Sequence, residues 1–242
     1  MKKYLVFLVL GVLVAVGLTF GQKIKKNPTA DEILGYAVQS FSGVEDFSVT
    51  IDVELKMERM QIPPMHATML FKRPDKVHFD SQGFLFLPKE GMALNPSFLQ
   101  ERYSTAGSLQ DTLDGVMQYK LLLVAKDQAA HLLRLNVWIN PNAWTIRKVE
   151  TTPYEGRMLS LQFEYEKQEE KYWLLSKTVA SFGSVFQTQG QNDVLEMKKQ
   201  ALEDAPKPPS RNGMVIIRYS NYKVNQKIDD SVFEKKETQG KK

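Results

Sequence analysis

Three histidines, His66, His78 and His131, are the first place to look for acid–base or metal chemistry, and each stands alone in a strand-like context. A metal site needs clustered ligands, and the chain has neither a His-x-x-x-His spacing nor any cysteine. Two of the three histidines share the parity of the polar residues in their strands, which predicts exposed or interfacial rings. Asp111 with Asp114, and Glu164 with Glu166, are spaced closely enough to share general acid–base work, but each pair falls where a solvated surface is expected. No Gly-x-Ser-x-Gly elbow, phosphate-cradling glycine loop or dinucleotide fingerprint occurs. Trp138, Trp144 and Trp173 could stack a sugar ring, yet such residues more commonly close the end of a β core. The pattern predicts a protein that is not an enzyme, with no metal and no cofactor.

The elements around these residues say more. From Val49 to Glu58 apolar and polar side chains alternate without a break, the period of a half-buried strand. The alternation returns in Leu133, Leu135, Val137 and Ile139, in Leu159, Leu161, Phe163 and Tyr165, and in Val215, Ile217 and Tyr219. Strands are expected at about 47–57, 65–72, 77–80, 118–125, 131–140, 144–151, 158–167, 172–182 and 214–222. Pro63-Pro64 cannot join a central ladder. Arg73-Pro74-Asp75-Lys76, Asn140-Pro141-Asn142-Ala143 and Pro153-Tyr154-Glu155-Gly156 read as bends or hairpin turns, so neighbouring strands run antiparallel. Thr29-Ala30-Asp31-Glu32 forms a capping box opening an amphipathic helix over about 29–42, with Gly43 as its stop. A second box at Asp193-Val194-Leu195-Glu196 opens a helix to about Asp204, followed by a stiff Pro-rich linker over 205–210. The stretch from Phe84 to Val116 is apolar but broken by Pro88, Gly91, Pro96, Gly107 and Gly115; it predicts an extended piece, a helical turn or two near Asn95-Pro96-Ser97, and a flexible loop.

The chain opens with Met1-Lys2-Lys3 and an apolar run from Tyr4 to Phe20, followed by Gly21. This is the plan of a secretory leader over 1–21, with an uncleaved membrane anchor as the competing reading. Residues 22–242 are then one domain, with a helix-plus-proline insertion over 190–213, placed outside the cytoplasm. Without cysteine it has no disulfide and no lipid-bearing N-terminal cysteine, and must cohere by burial alone. The formal net charge of +4 falls further if Lys2 and Lys3 leave with the leader, too mild to argue for nucleic acid. Lys235, Lys236, Lys241 and Lys242 read as a solvated tail.

A sheet of seven or eight such strands has a large apolar face, each buried side chain on it contributing about 1.5–3 kcal/mol. Little helix is available to cover that face. A wide antiparallel sheet twists and curls. The expected fold class is therefore α+β: a strongly curved antiparallel sheet forming an unclosed β-barrel, with two or three helices and a loop as lid. The apolar lining and lid residues expected to bind lipid are Val53, Leu55, Met57, Met69, Phe71, Phe79, Phe84, Phe86, Met92, Leu94, Phe98, Leu99, Leu135, Val137, Leu161 and Phe163. Pliable methionines, Met57, Met65 and Met69 with Met92 and Met158 nearby, favour a cavity that repacks around apolar guests. The alternative is a barrel filled by its own side chains.

The order of these pieces resembles the LolA-type periplasmic lipoprotein carriers and their wider fold family, which includes LolB-like receptors and the sensor domain of RseB-like proteins. Phe71-Lys72-Arg73-Pro74-Asp75-Lys76-Val77 is similar to the family's aromatic-x-Arg-Pro-x-Lys bend. Val137-Trp138-Ile139-Asn140-Pro141 with Ile146-Arg147-Lys148-Val149 is similar to its central hairpin, and Tyr222-Lys223-Val224-Asn225 with Ile228-Asp229-Asp230-Ser231-Val232-Phe233 to its closing strand and tail. The resemblance implies an unclosed barrel of about eleven strands that shields the acyl chains of lipoprotein or lipid cargo in the periplasm. It also implies an inner-membrane donor and an outer-membrane acceptor, with the carrier a monomer. A sensor or scaffold that contacts a protein partner through 190–213 is the alternative.

Overall fold

The computed structural model describes residues 27–57, 60–61, 63–80, 95–127, 134–151, 157–184 and 213–234. Helix α1 spans Ala30–Ser40, α2 Pro96–Arg102 and α3 Ser231–Glu234. The strands are β1 (Asp46–Met57), β2 (Met60–Gln61), β3 (Met65–Lys72), β4 (Lys76–Asp80), β5 (Tyr103–Leu113), β6 (Val116–Ala125), β7 (Arg134–Ile139), β8 (Ile146–Thr151), β9 (Arg157–Gln168), β10 (Tyr172–Ser184) and β11 (Gly213–Val224). They form one antiparallel sheet of eleven strands, ordered β4-β3-β1-β11-β10-β9-β8-β7-β6-β5, with β2 pairing β1 off that path. Strands β4 and β5 are its two edges, so the barrel does not close.

The sheet has the eleven strands the resemblance implied, wider than the strand pattern alone indicated because β2 was not anticipated and part of the stretch read as a flexible loop is β5. Its sequence, Tyr-Ser-Thr-Ala-Gly-Ser-Leu-Gln-Asp-Thr-Leu, lacks alternation because an edge strand exposed on both faces has no apolar parity to display. The remaining strands lie within a few residues of their expected ranges, and the short helix at 96–102 starts where Asn95-Pro96 placed it. Asn95 is its N-cap and accepts from the Ser97 N–H at 3.0 Å. The second helix expected at 193–204, the Pro-rich linker, the turn at 153–156 and the leader lie outside the described residues.

One apolar cluster joins α1, α2 and the concave face of the sheet. Helix α1 enters it through a complete capping box, Thr29 N–H to Glu32 at 2.9 Å and Glu32 N–H to the Thr29 hydroxyl at 3.3 Å. It buries Ile33, Leu34 and Ala37. The helix ends through Phe41, whose N–H donates to the Val38 carbonyl while the Ser42 N–H donates to the Gln39 carbonyl, and not through a left-handed glycine. Gly43 has another role: a Cβ there would sit 3.2 Å from the Tyr172 ring.

The bend at 73–75 ties the helices to the sheet. The Arg73 guanidinium donates to the Ser42 carbonyl at 2.8 Å, and the Asn95 amide donates to the Pro74 carbonyl at 2.7 Å. Beyond β11, the buried Asp46 carboxylate accepts from the Gln226 and Ile228 backbone N–H groups at 2.7 and 3.2 Å. The chain then folds back along β4, where Asp230 bridges Lys72 at 2.8 Å and Lys76 at 3.1 Å.

Candidate functional site: the concave face and its cover

Odd-numbered residues of β1 point into the concave face, and their burial falls along the strand. Val49, Ile51 and Val53 are almost fully buried, whereas Leu55 and Met57 are half-buried. The same decline crosses the sheet in register. Leu55 stands opposite Val215, which stands opposite Ala180 and then Leu161; Met57 stands opposite Gly213 and then Phe182. At this level the sheet presents half-buried Leu55, Met57, Leu161 and Phe182, with half-buried Met65 one pair further in opposite Val53 and Phe79 at the edge opposite Met69. Gly213 lets the Phe182 ring lie directly over the strand, since a Cβ would come within 2.2 Å of the tip of that ring.

The opposite end is closed by aromatic rings. Phe47 stacks on Phe71 with centroids 5.0 Å apart and meets Tyr222 edge-on at 5.3 Å. Trp144 is held between Tyr36 at 4.6 Å and Tyr119 at 6.0 Å. Trp144 has φ +53°, a conformation a bulky residue adopts only when its surroundings impose it. The surroundings here are a turn in which Asn140 accepts from the Asn142 and Ala143 N–H groups, and in which the Trp144 carbonyl accepts from the Ser40 hydroxyl of α1 at 3.1 Å.

A cleft of about 30 Å³ lies at this end, lined by Ser40, Phe41, Phe47, Met69, Pro96, Trp144, Thr145, Tyr165, Trp173, Leu174, Leu175 and Tyr222. The lining carries no charged side chain. Burial pushes the hydroxyls of Tyr165, Tyr219 and Tyr222 well above the usual phenol range, so they stay neutral donors. Tyr222 donates to the Leu175 carbonyl at 2.8 Å, and Tyr219 shares a 3.2 Å hydrogen bond with Thr178.

Of the residues expected from sequence to line a lipid cavity, Val53, Met69, Phe71, Leu99, Leu135, Val137 and Phe163 are packed in the core, and only Met69 borders the cleft. Leu55, Met57, Phe79 and Leu161 are half-buried on the sheet, and Phe98 is half-buried on α2 beneath the Arg102 guanidinium at 4.4 Å. Phe84, Phe86, Met92 and Leu94 lie outside the described residues. This cleft is a space of one or two waters, with α1 and α2 packed against the sheet beside it. Trp144 closes one end of the core, as its type suggested from sequence, and Tyr165 and Tyr222 lie on strands read from sequence; that the three meet at one cleft beside α1 is a long-range fact the sequence did not show.

Several of the residues considered for catalysis make ordinary contacts. His66 pairs with Asp52 on the outer face, and His131 lies outside the described residues. Asp111 accepts from the Trp138 indole N–H at 2.9 Å, while Asp114 sits in a tight turn at φ +52°. The indole bond holds the Asp111 carboxyl below the usual range, helped by the Thr112 N–H. Glu164 accepts from Lys177 at 2.8 Å. Among the described residues no group of three or more His, Cys, Asp or Glu side chains could hold a metal, and no helix is long and apolar enough to cross a membrane.

This arrangement of a curved, unclosed sheet with helices in its hollow recurs in solved structures. A LolA superfamily protein from Nitrosomonas europaea is 16% identical, with 86% of this chain and 99% of that one covered at a TM-score of 0.56. The two chains share one fold. A putative outer membrane lipoprotein-sorting protein domain from Vibrio parahaemolyticus is similar at 14% identity and a TM-score of 0.50, covering 84% of this chain and 97% of that one. A DUF1329 family protein from Desulfovibrio piger is similar at 12% identity and a TM-score of 0.55, covering 86% and 98%. No family model matches the sequence, and no curated protein matches it.

Proposed function

We propose that this protein is a periplasmic carrier that binds the acyl chains of lipoproteins or lipids against the concave face of its sheet and moves them toward the outer membrane. In this reading residues 1–21 export the chain and 22–242 form one lipid-binding domain. The observation that carries it is the rim: an apolar concave face continues past the packed core into half-buried Leu, Met and Phe side chains at one end. An alkyl chain laid along that face would gain roughly 0.8 kcal/mol per methylene buried, so two long chains need no charged contact. A pocket for such chains is on the order of 300 Å³ or more. The 30 Å³ cleft is far smaller, so cargo is accommodated by lifting α1 and α2 out of the curve. Their attachments suit that motion: α1 is held to β5 by the Thr105 hydroxyl donating to Asp31 and to the β7–β8 turn by Ser40, both at exposed positions.

The test is titration of the delipidated protein with a fluorescent fatty-acid probe, together with mass spectrometry of lipids copurified from the native source. Saturable binding and a bound acyl lipid are expected. Absence of both would end the carrier reading.

A further inference from the structure

The inward rows of the sheet differ in how far they can yield. On β1 the row is Val49, Ile51 and Val53, and on β11 it is Val215, Ile217 and Tyr219, β-branched or ring side chains with few rotamers to change. On β3 it is Met65, Ala67, Met69 and Phe71, set opposite Val53, Ile51, Val49 and Phe47 of β1. Two unbranched thioethers with a single methyl between them make a row that can repack. The row also leads somewhere. Met65 is half-buried toward the rim end, whereas Met69 is fully buried and borders the aromatic cleft. Past Met69 the strand offers no passage, since Phe71 is fully buried and stacked on Phe47. The continuation is sideways into the cleft, whose lining includes Trp173, 40% exposed.

The cleft has nothing to offer a charged or polar head. No charged side chain lines it, and among the described residues no buried side-chain nitrogen or oxygen of that lining lacks a hydrogen-bond partner. Tyr222 is committed to the Leu175 carbonyl, and Ser40 to the Ala37 and Trp144 carbonyls. We infer that an unbranched alkyl chain lies along β3 over Met65, Ala67 and Met69, with its methyl end in the aromatic cleft and its polar head at the rim end. This rests on the carrier reading and gives the cargo a lane and a direction. From Met65 to Met69 the lane is about 13 Å long. Ala67 is the position that keeps it passable, because a larger inward side chain there would stand in the path.

Two measurements on the full-length exported protein test this. In wild type, a fatty acid brominated near its methyl end should quench Trp144 and Trp173, which line the cleft, more than the isomer brominated beside the carboxylate. Trp138, buried on the convex face between Lys120 and Lys148, is the background common to both. Ala67→Leu, its folding verified by urea unfolding, should weaken binding of a long-chain fluorescent fatty acid about tenfold or more, the loss of about two methylenes of burial. Equal quenching by the two isomers, stronger quenching by the carboxylate-side label, or an Ala67→Leu affinity equal to that of wild type would each overturn the lane while saturable binding, and with it the carrier reading, stands. A wild-type protein that binds neither isomer would end both.

Discussion

Substitution of Ile33 by valine separates a helix that merely fills the sheet from one that must leave it for cargo. Ile33 is fully buried on α1 within the cluster that joins the helix to the concave face. Removing one methylene there costs about 0.5–1.5 kcal/mol of packing. If α1 is lifted when cargo binds, that cost falls only on the covered state, because in the lifted state the side chain has left its packing. The binding-competent fraction is small, so apparent affinity scales with it, and the same 0.5–1.5 kcal/mol raises affinity for a fatty-acid probe about two- to thirteenfold. The comparison is Ile216→Val. Ile216 is buried on the convex side of β11, outside that cluster, so the variant should lose similar stability to urea with no change in probe affinity. Fluorescence titration and urea unfolding of both variants provide the assay. If Ile33→Val destabilises the protein while leaving affinity unchanged or weakened, α1 is not a displaceable cover and the reasoning fails.

Three further outcomes are expected. Replacing either member of the buried Thr178–Tyr219 pair, by Thr178→Val or Tyr219→Phe, should cost about 0.5–1.5 kcal/mol in urea unfolding by removing their shared hydrogen bond, while the double variant should cost less than the sum; strict additivity would refute the bond. Gly213→Ala should cost about 1–3 kcal/mol through its 2.2 Å clash with Phe182, and Phe182→Leu in the same chain should recover most of it, as read by thermal melting. The Asp230 carboxyl is held below its usual range by hydrogen bonds from Lys72 and then Lys76, so the docking of α3 on β4 gains from ionisation above the ordinary Asp pKa and is lost as pH falls below about 4. Protection of the amides in 229–234, taken relative to their intrinsic exchange at each pH, should fall at acid pH in wild type and already be reduced at neutral pH in Asp230→Asn; equal protection in the two at neutral pH would count against this attachment.

The order of elements, the antiparallel pairing and the apolar parity of β1, β7, β9 and β11 were legible in the chain, because each rests on periodicity or turn chemistry within a few residues. Capping at Thr29 and Asn95 was legible for the same reason. Strand β5 was not, since both its faces are exposed and its ladder is contributed by β6. Nor could sequence show that α1 and α2 would flank a cleft of about 30 Å³, or that Trp144 would be forced to positive φ between Tyr36 and Tyr119. Local pattern marks which side chains avoid water; only the tertiary structure sets whether their company is one another or an open rim. That division comes from curvature and helix placement, which sum small twists over eleven strands and leave no trace at any single position.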